Sequence, residues 1–139
     1  MLKNTSLLKA HGYINGQWVG DDTESRFDVT NAYTNEVIST LPDMGKKETD
    51  EAIDAANAAW PDWRSRTAKE RAIILKKWFD LIMSNQEDLA ILMTAEQGKP
   101  LAEARGEVGY GASFIEWFAE EGKRTYGDII PTPANDRRI

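Results

Sequence analysis

The sequence predicts a mixed α/β chain in which a few short strands are followed by four helices, and three observations predict it. Short apolar pairs alternate with polar residues and turn signals as far as Leu41, a pattern of strands. From Glu48 onward the apolar period lengthens from two to about three and a half residues, which is helical. Gly98-Lys99-Pro100 then punctuates the helical part, since Gly accepts the left-handed conformation that closes one helix and Pro, lacking an N–H, suits the start of the next.

Taken in order, Tyr13-Ile14 and Trp18-Val19 flank Asn15-Gly16, whose tolerance of positive φ predicts a two-residue hairpin turn. Phe27 and Val29, then Val37-Ile38 and Leu41, predict two further strands around a turn at Asn31-Ala32-Tyr33-Thr34-Asn35. Ile53, Ala56, Ala59-Trp60 and Trp63 mark the first helix, with Pro61 expected to end it. Thr67 with Glu70 forms a capping-box pattern for the second helix, whose expected apolar face is Ala68, Ile74-Leu75, Trp78 and Ile82. Ser84 with Glu87 repeats that pattern for the third, which carries Leu89, Leu92 and Met93 to Gly98.

The fourth helix, from Pro100 to about Gly122, is predicted to be the longest. Leu101, Ala104, Val108, Ala112, Ile115 and Ala119 form one stripe, while Tyr110, Phe114 and Trp117 form a second at i, i+4 and i+7. Two apolar stripes imply burial on two sides, and Gly109, Gly111 and Ala112 would let another element approach closely. Read from spacing alone, the three aromatics are core residues. Glu116, Glu120 and Glu121 near Lys123-Arg124 read as a solvated, salt-bridged end of that helix.

Composition sets outer bounds. A chain of 139 residues, 41% of them hydrophobic, is long enough to bury a core, roughly 68% of its unfolded surface for this size class. A formal net charge of -6 argues against general nucleic-acid or anionic-membrane binding. The absence of cysteine excludes disulfides and thiolate metal sites, and no window approaches the ~20 apolar residues of a membrane span. A cytoplasmic location is the resulting expectation. His11 reads as a solvated side chain without a partner, and Lys99 lacks the upstream glycine and following Ser/Thr of a P-loop, which leaves it a place at a helix cap.

Three longer strings carry a resemblance. They are Glu96-Gln97-Gly98-Lys99-Pro100-Leu101-Ala102-Glu103-Ala104, Ser113-Phe114-Ile115-Glu116-Trp117-Phe118-Ala119-Glu120-Glu121, and Tyr13-Ile14-Asn15-Gly16-Gln17-Trp18. With them the chain, from about Tyr13 to Ile139, resembles the amino-terminal third of an aldehyde dehydrogenase and is most similar to the succinate-semialdehyde dehydrogenase branch. The resemblance departs from the family pattern at Ala32 and Asn35, where Pro and Gly are more usual, and Asn35 keeps the tolerance of positive φ.

The resemblance implies a fold and an activity. Residues 1–125 would form the amino-terminal part of a Rossmann-like cofactor-binding domain, and residues 126–139, with Ile129, Ile130 and two prolines, would begin the oligomerisation segment. The catalytic domain would be absent. The parent enzyme would oxidise an aldehyde with NAD or NADP, most simply succinate semialdehyde to succinate, through a cysteine thiolate. The general base, oxyanion donors, substrate-binding arginines and cofactor loop would all lie beyond Ile139. The chain reads as an amino-terminal piece, with no catalytic or cofactor-binding residue of its own and no activity alone.

Its partners would be the rest of the enzyme, other subunits of a homo-oligomer and a small aldehyde. In the family, positions matching Tyr110, Phe114 and Trp117 lie near the wall of the substrate tunnel, and some members hold a structural monovalent cation at positions matching Val29, Thr30 and Glu96. Two alternatives stand beside this reading: a short interaction module that uses the doubly apolar last helix, and a remnant or inhibitory fragment that occupies a homologue's subunit interface.

Overall fold

The computed structural model describes residues 2–136. A 3-10 turn at Thr5–Leu7 precedes four strands, β1 (Gly12–Ile14), β2 (Gln17–Val19), β3 (Arg26–Thr30) and β4 (Val37–Pro42). Four helices follow, α1 (Lys46–Ser65), α2 (Ala68–Ser84), α3 (Gln86–Gln97) and α4 (Leu101–Glu121). Short antiparallel strands and then four helices is the order that the sequence predicts.

The strands form two separate antiparallel pairs, β1 with β2 and β3 with β4. In the first, Tyr13 faces Trp18 across a turn whose residues, Asn15 (φ 49°) and Gly16 (φ 79°), both take the positive φ that matches the twist of a two-residue hairpin. The two rings lie 4.9 Å apart, with the Lys9 ammonium 4.7 Å from the Trp18 ring centre. In the second pair Phe27 faces Leu41, and the register shifts between Val29 and Thr30. Asn31 Oδ1 accepts the N–H groups of Tyr33 and Thr34 at 2.9 and 3.1 Å, and Asn35 takes φ 60°, so the turn closes without the usual Pro and Gly.

The core sits where α4 crosses α2 and α3. Ala90 and Ala104 are fully buried, Val108, Ala112, Ala119 and Ala72 nearly so, and Ile82, Leu89, Met93 and Leu101 pack around the centre. Alanine at these points lets the helix backbones come close. Gly109 contributes in the same way, because a Cβ there would stand 3.4 Å from Gln86 Nε2, whereas Gly111 faces open space. Arg105 locks the two helices with a fork on Glu87, Nε to Oε2 at 2.6 Å and Nη2 to Oε1 at 2.7 Å, and Gln86 donates to the Arg105 carbonyl. No large side chain among the described residues is fully buried.

Several boundaries differ from the sequence-based expectation. Helix α1 runs through Pro61 to Ser65. Pro61 and Asn57, whose carbonyl loses its donor, are both exposed, so water can take the freed oxygen. The capping box forms at Thr67 and Glu70, with Thr67 N donating to Glu70 Oε2 at 2.8 Å, but none forms at Ser84. There α2 continues one residue further, Ser84 Oγ donates to the Asp80 carbonyl, the cap position falls to Asn85, and Glu87 is taken by Arg105. On α2 the inward residues are Ala72, Leu75, Phe79 and Ile82, while Ile74 and Trp78 of the expected face are exposed. His11 has a partner, since Nε2 lies 2.7 Å from Asp21 Oδ1.

Gly98 (φ 75°) closes α3 as expected, and Lys99 pairs with Glu107 on α4. Residues 126–136 contain neither helix nor strand, and Tyr126 and Ile129 are exposed. Arg137-Arg138-Ile139, the end of the expected oligomerisation segment, lies outside the described residues. No helix among those residues is long and apolar enough to cross a membrane.

Candidate functional site

Helix α4 has two contrasting sides. Ala104, Val108, Ala112 and Ala119 face α2 and α3 and are buried. On the opposite side of the helix, Tyr110, Phe114 and Trp117 are 66%, 45% and 62% exposed, so the second stripe has the predicted spacing but is not part of this chain's core. Tyr110 and Phe114 meet edge to face with ring centres 4.8 Å apart, which fixes the two rings relative to each other. Ser113 Oγ bends back to the Tyr110 carbonyl at 2.7 Å and leaves the aromatic strip uninterrupted by a free hydroxyl.

These three residues line an open groove of about 910 Å³ with Phe118, Glu116 and Arg124 among its other walls. Phe118 was not singled out by sequence reasoning, although it lies one further step of four beyond Phe114 and carries the stripe to the end of the helix. At that end Glu120 pairs with Lys123 at 2.6 Å and Glu121 with Arg124 at 2.9 Å, the salt-bridged face expected from the charge pattern. The hydrogen bond from Lys123 holds the Glu120 carboxyl below its ordinary pKa. An aromatic floor with a paired, charged end can accept an apolar or amphipathic occupant. The chain has no thiol, and the groove walls named here offer no activated nucleophile.

The second candidate locus lies at the exit of β3. Val29 is half-buried, Thr30 and Glu96 are exposed, and the register shift between Val29 and Thr30 interrupts the regular ladder there. The N–H of Ala32 donates to the Ala95 carbonyl at 2.9 Å, which brings the end of β3 to the last turn of α3, one residue before Glu96. Backbone carbonyls and one carboxylate are donors suited to a hard cation. No group of three or more His, Cys, Asp or Glu that could hold a metal occurs among the described residues.

Comparison with known proteins supplies the frame for both loci. The family model described as "Aldehyde dehydrogenase family" matches residues 18–139. A glutarate-semialdehyde dehydrogenase of Pseudomonas putida is 56% identical over 99% of this chain, and an NADP(+) succinate-semialdehyde dehydrogenase of Escherichia coli is 55% identical over 99%. The crystal structure of a succinate-semialdehyde dehydrogenase from Burkholderia pseudomallei superposes with a TM-score of 0.91 at 55% identity, covering 99% of this chain and 28% of that one. The chain spans 29% of the length of each of the two curated relatives. A family model that runs from the first hairpin through α4, with over half of all positions identical to semialdehyde dehydrogenases, shows that the chain belongs to the aldehyde dehydrogenase family.

Proposed function

We propose that this chain is the amino-terminal part of an NAD(P)-dependent aldehyde dehydrogenase whose substrate is a short aldehyde bearing a carboxylate, succinate semialdehyde being the first choice. The observation that carries this reading is the near-equal identity, 56% and 55%, to relatives named for the semialdehydes of glutarate and succinate. Both aldehydes end in a carboxylate, and a branch that handles such substrates needs a cationic clamp for that end. On this reading residues 1–125 belong to the cofactor-binding domain, residues 126–139 begin the oligomerisation segment, and the partners are the rest of the enzyme and further subunits of a homo-oligomer.

The described residues do not fit a dinucleotide. Both sheets are antiparallel pairs, whereas dinucleotide folds use parallel strands with a helix crossing between them. The one strand-to-helix junction among the described residues, β4 to α1, is closed by the chain's own carboxylate, since Glu48 Oε2 accepts the Gly45 N–H at 2.9 Å. Cofactor binding and the nucleophilic thiol therefore fall to other parts of the enzyme.

What the chain contributes is shape. Tyr110, Phe114 and Trp117 form part of the wall along which the aldehyde reaches the nucleophile, where rings exclude water without touching the bonds that change. Val29, Thr30 and Glu96 supply some oxygens of a structural monovalent cation site, which stiffens the junction of β3 and α3.

The test is a hybrid in which this chain replaces the matching 29% of the E. coli relative. Reduction of NADP with succinate semialdehyde should be restored in the hybrid and equal the blank for the 139-residue chain alone. A hybrid that prefers simple alkyl aldehydes would overturn the substrate assignment. Turnover by the isolated chain that survives repurification would overturn the division of labour.

A further inference from the structure

We propose that Asn15 is a site of spontaneous modification, at which deamidation to isoaspartate loosens the β1–β2 hairpin and its seat on α1. Asn15-Gly16 is the one Asn-Gly pair in the sequence. The backbone nitrogen of Gly16 attacks Cγ of the Asn15 side chain and gives up its proton as the new C–N bond closes a succinimide ring. The Cγ–Nδ2 bond breaks and the side-chain nitrogen leaves as ammonia. Water then adds to one of the two ring carbonyls, opening the ring to aspartate or isoaspartate, with no oxidation or reduction.

Three features of the fold single out this asparagine. Its side-chain amide holds no hydrogen bond, a property it shares with Asn35, Asn57 and Asn135, none of which precedes a glycine, whereas Asn4 accepts from Ser6, Asn31 from Tyr33 and Thr34, and Asn85 donates to the Leu81 carbonyl. Gly16 puts no side chain beside the attacking nitrogen, the space where a Cβ would stand is open to 4.0 Å, and both turn residues are exposed. The ring-forming geometry requires the turn to leave its positive-φ conformation, and little resists that. The sheet has two strands of three residues each, joined to no third strand among the described residues, and such a hairpin is marginal in water.

The consequence follows from the register. An isoaspartate places an extra methylene in the main chain of a two-residue turn, which cannot then keep Tyr13 opposite Trp18 and Ile14 opposite Gln17. Helix α1 has no buried residue, and its Ala52, Ala55, Ala56 and Ala59 line the gap of about 340 Å³ beside the turn, so the hairpin is its main neighbour. Conversion of Asn15 thus frees the hairpin and α1 together, while the α2–α3–α4 core is untouched.

The experiment is incubation of the full chain at mildly alkaline pH, followed by peptide mass mapping and isoaspartate methyltransferase labelling, with a parallel sample in urea. Asn15 should gain one mass unit at least roughly tenfold faster than any other asparagine, equivalent to about 1.4 kcal/mol of barrier. Its native rate should lie within roughly tenfold of the urea rate. Another asparagine converting first would overturn the proposal. So would an Asn15 that converts in urea but is unchanged in the native chain, because the hairpin would then be holding closed.

Discussion

The Asp88 carboxylate accepts the backbone N–H of Asn4 at 2.7 Å, across 84 positions of sequence. Its other oxygen accepts the Lys3 N–H at 2.9 Å, and the residue is only 5% exposed. The first turn of α3 therefore binds the chain's own leader as it would bind an external ligand, but with the polarity reversed: the helix side chain supplies the anion and the leader supplies the donors.

This arrangement predicts acid release of the leader. The Lys3 and Asn4 backbone donors hold the Asp88 carboxyl below its ordinary pKa, against the opposing effect of desolvation. A folded pKa below the unfolded value, about 3.9 for Asp, means the stabilisation is fully present above that value and is lost as the pH falls through the folded pKa. The amide resonances of Lys3 and Asn4 should move together as the pH drops below about 4. In Asp88→Asn they should already be displaced at neutral pH and show no such titration. Identical titration in that variant would assign the effect to another carboxylate.

Packing gives a second prediction. Ala90 and Ala104 are fully buried at the α3–α4 crossing, among Val108, Ile82, Leu89, Met93 and Leu101, which a longer side chain would have to displace. Ala104→Leu should lower stability by about 1–3 kcal/mol through overpacking. Trp78→Ala, on the exposed side of α2, should cost less than Leu75→Ala, on the side facing α4. Denaturant midpoints at constant slope would check both, and a larger loss for Trp78→Ala than for Leu75→Ala would return Trp78 to the packed face of α2.

The groove on α4 gives a third. Covering a large aromatic side chain is worth on the order of 1.5–3 kcal/mol, and Tyr110, Phe114, Trp117 and Phe118 forgo much of this in the chain alone. The isolated chain should bind a hydrophobic dye and associate with itself at high concentration, and Phe114→Asp should weaken both. A sharply melting monomer that binds no dye would mean that the stripe is covered internally.

Features set by a few neighbouring residues were legible in the sequence. Asn15-Gly16, Thr67 with Glu70, and Gly98 each act through their own backbone, so the turn, the capping box and the left-handed cap all form as read. Ser84 with Glu87 has the same local pattern and fails, because Arg105 from another helix takes the carboxylate. Helix α2 carries two apolar stripes, and only the position of α4 decides which is covered. The site was legible as a spacing, Tyr110, Phe114 and Trp117, but not as a surface. Whether a stripe is core or groove depends on what lies opposite it, which spacing does not encode.

The contact between Gly20 and Pro42 yields the last prediction. Gly20 ends the first hairpin at φ 111°, a conformation open to glycine and strained for other residues. It is buried, and a Cβ there would stand 2.4 Å from Pro42 Cγ and 2.8 Å from Pro42 Cβ at the end of β4. The ring of Pro42 cannot turn aside as a flexible side chain would, so the two sheets would have to separate. The Gly20 carbonyl also accepts Arg26 Nη2 at 3.0 Å, and that bond, at the first residue of β3, would be pulled apart by the same movement. Gly20→Ala should therefore destabilise the strand-rich end by about 1–3 kcal/mol. Amide hydrogen exchange would rise in β1 to β4 and stay unchanged in α3 and α4. Pairing it with Pro42→Ala should recover part of the loss, since the clash would be relieved while the dihedral strain remained. No recovery in the double variant would show that the dihedral, and not the close approach, fixes glycine at this position.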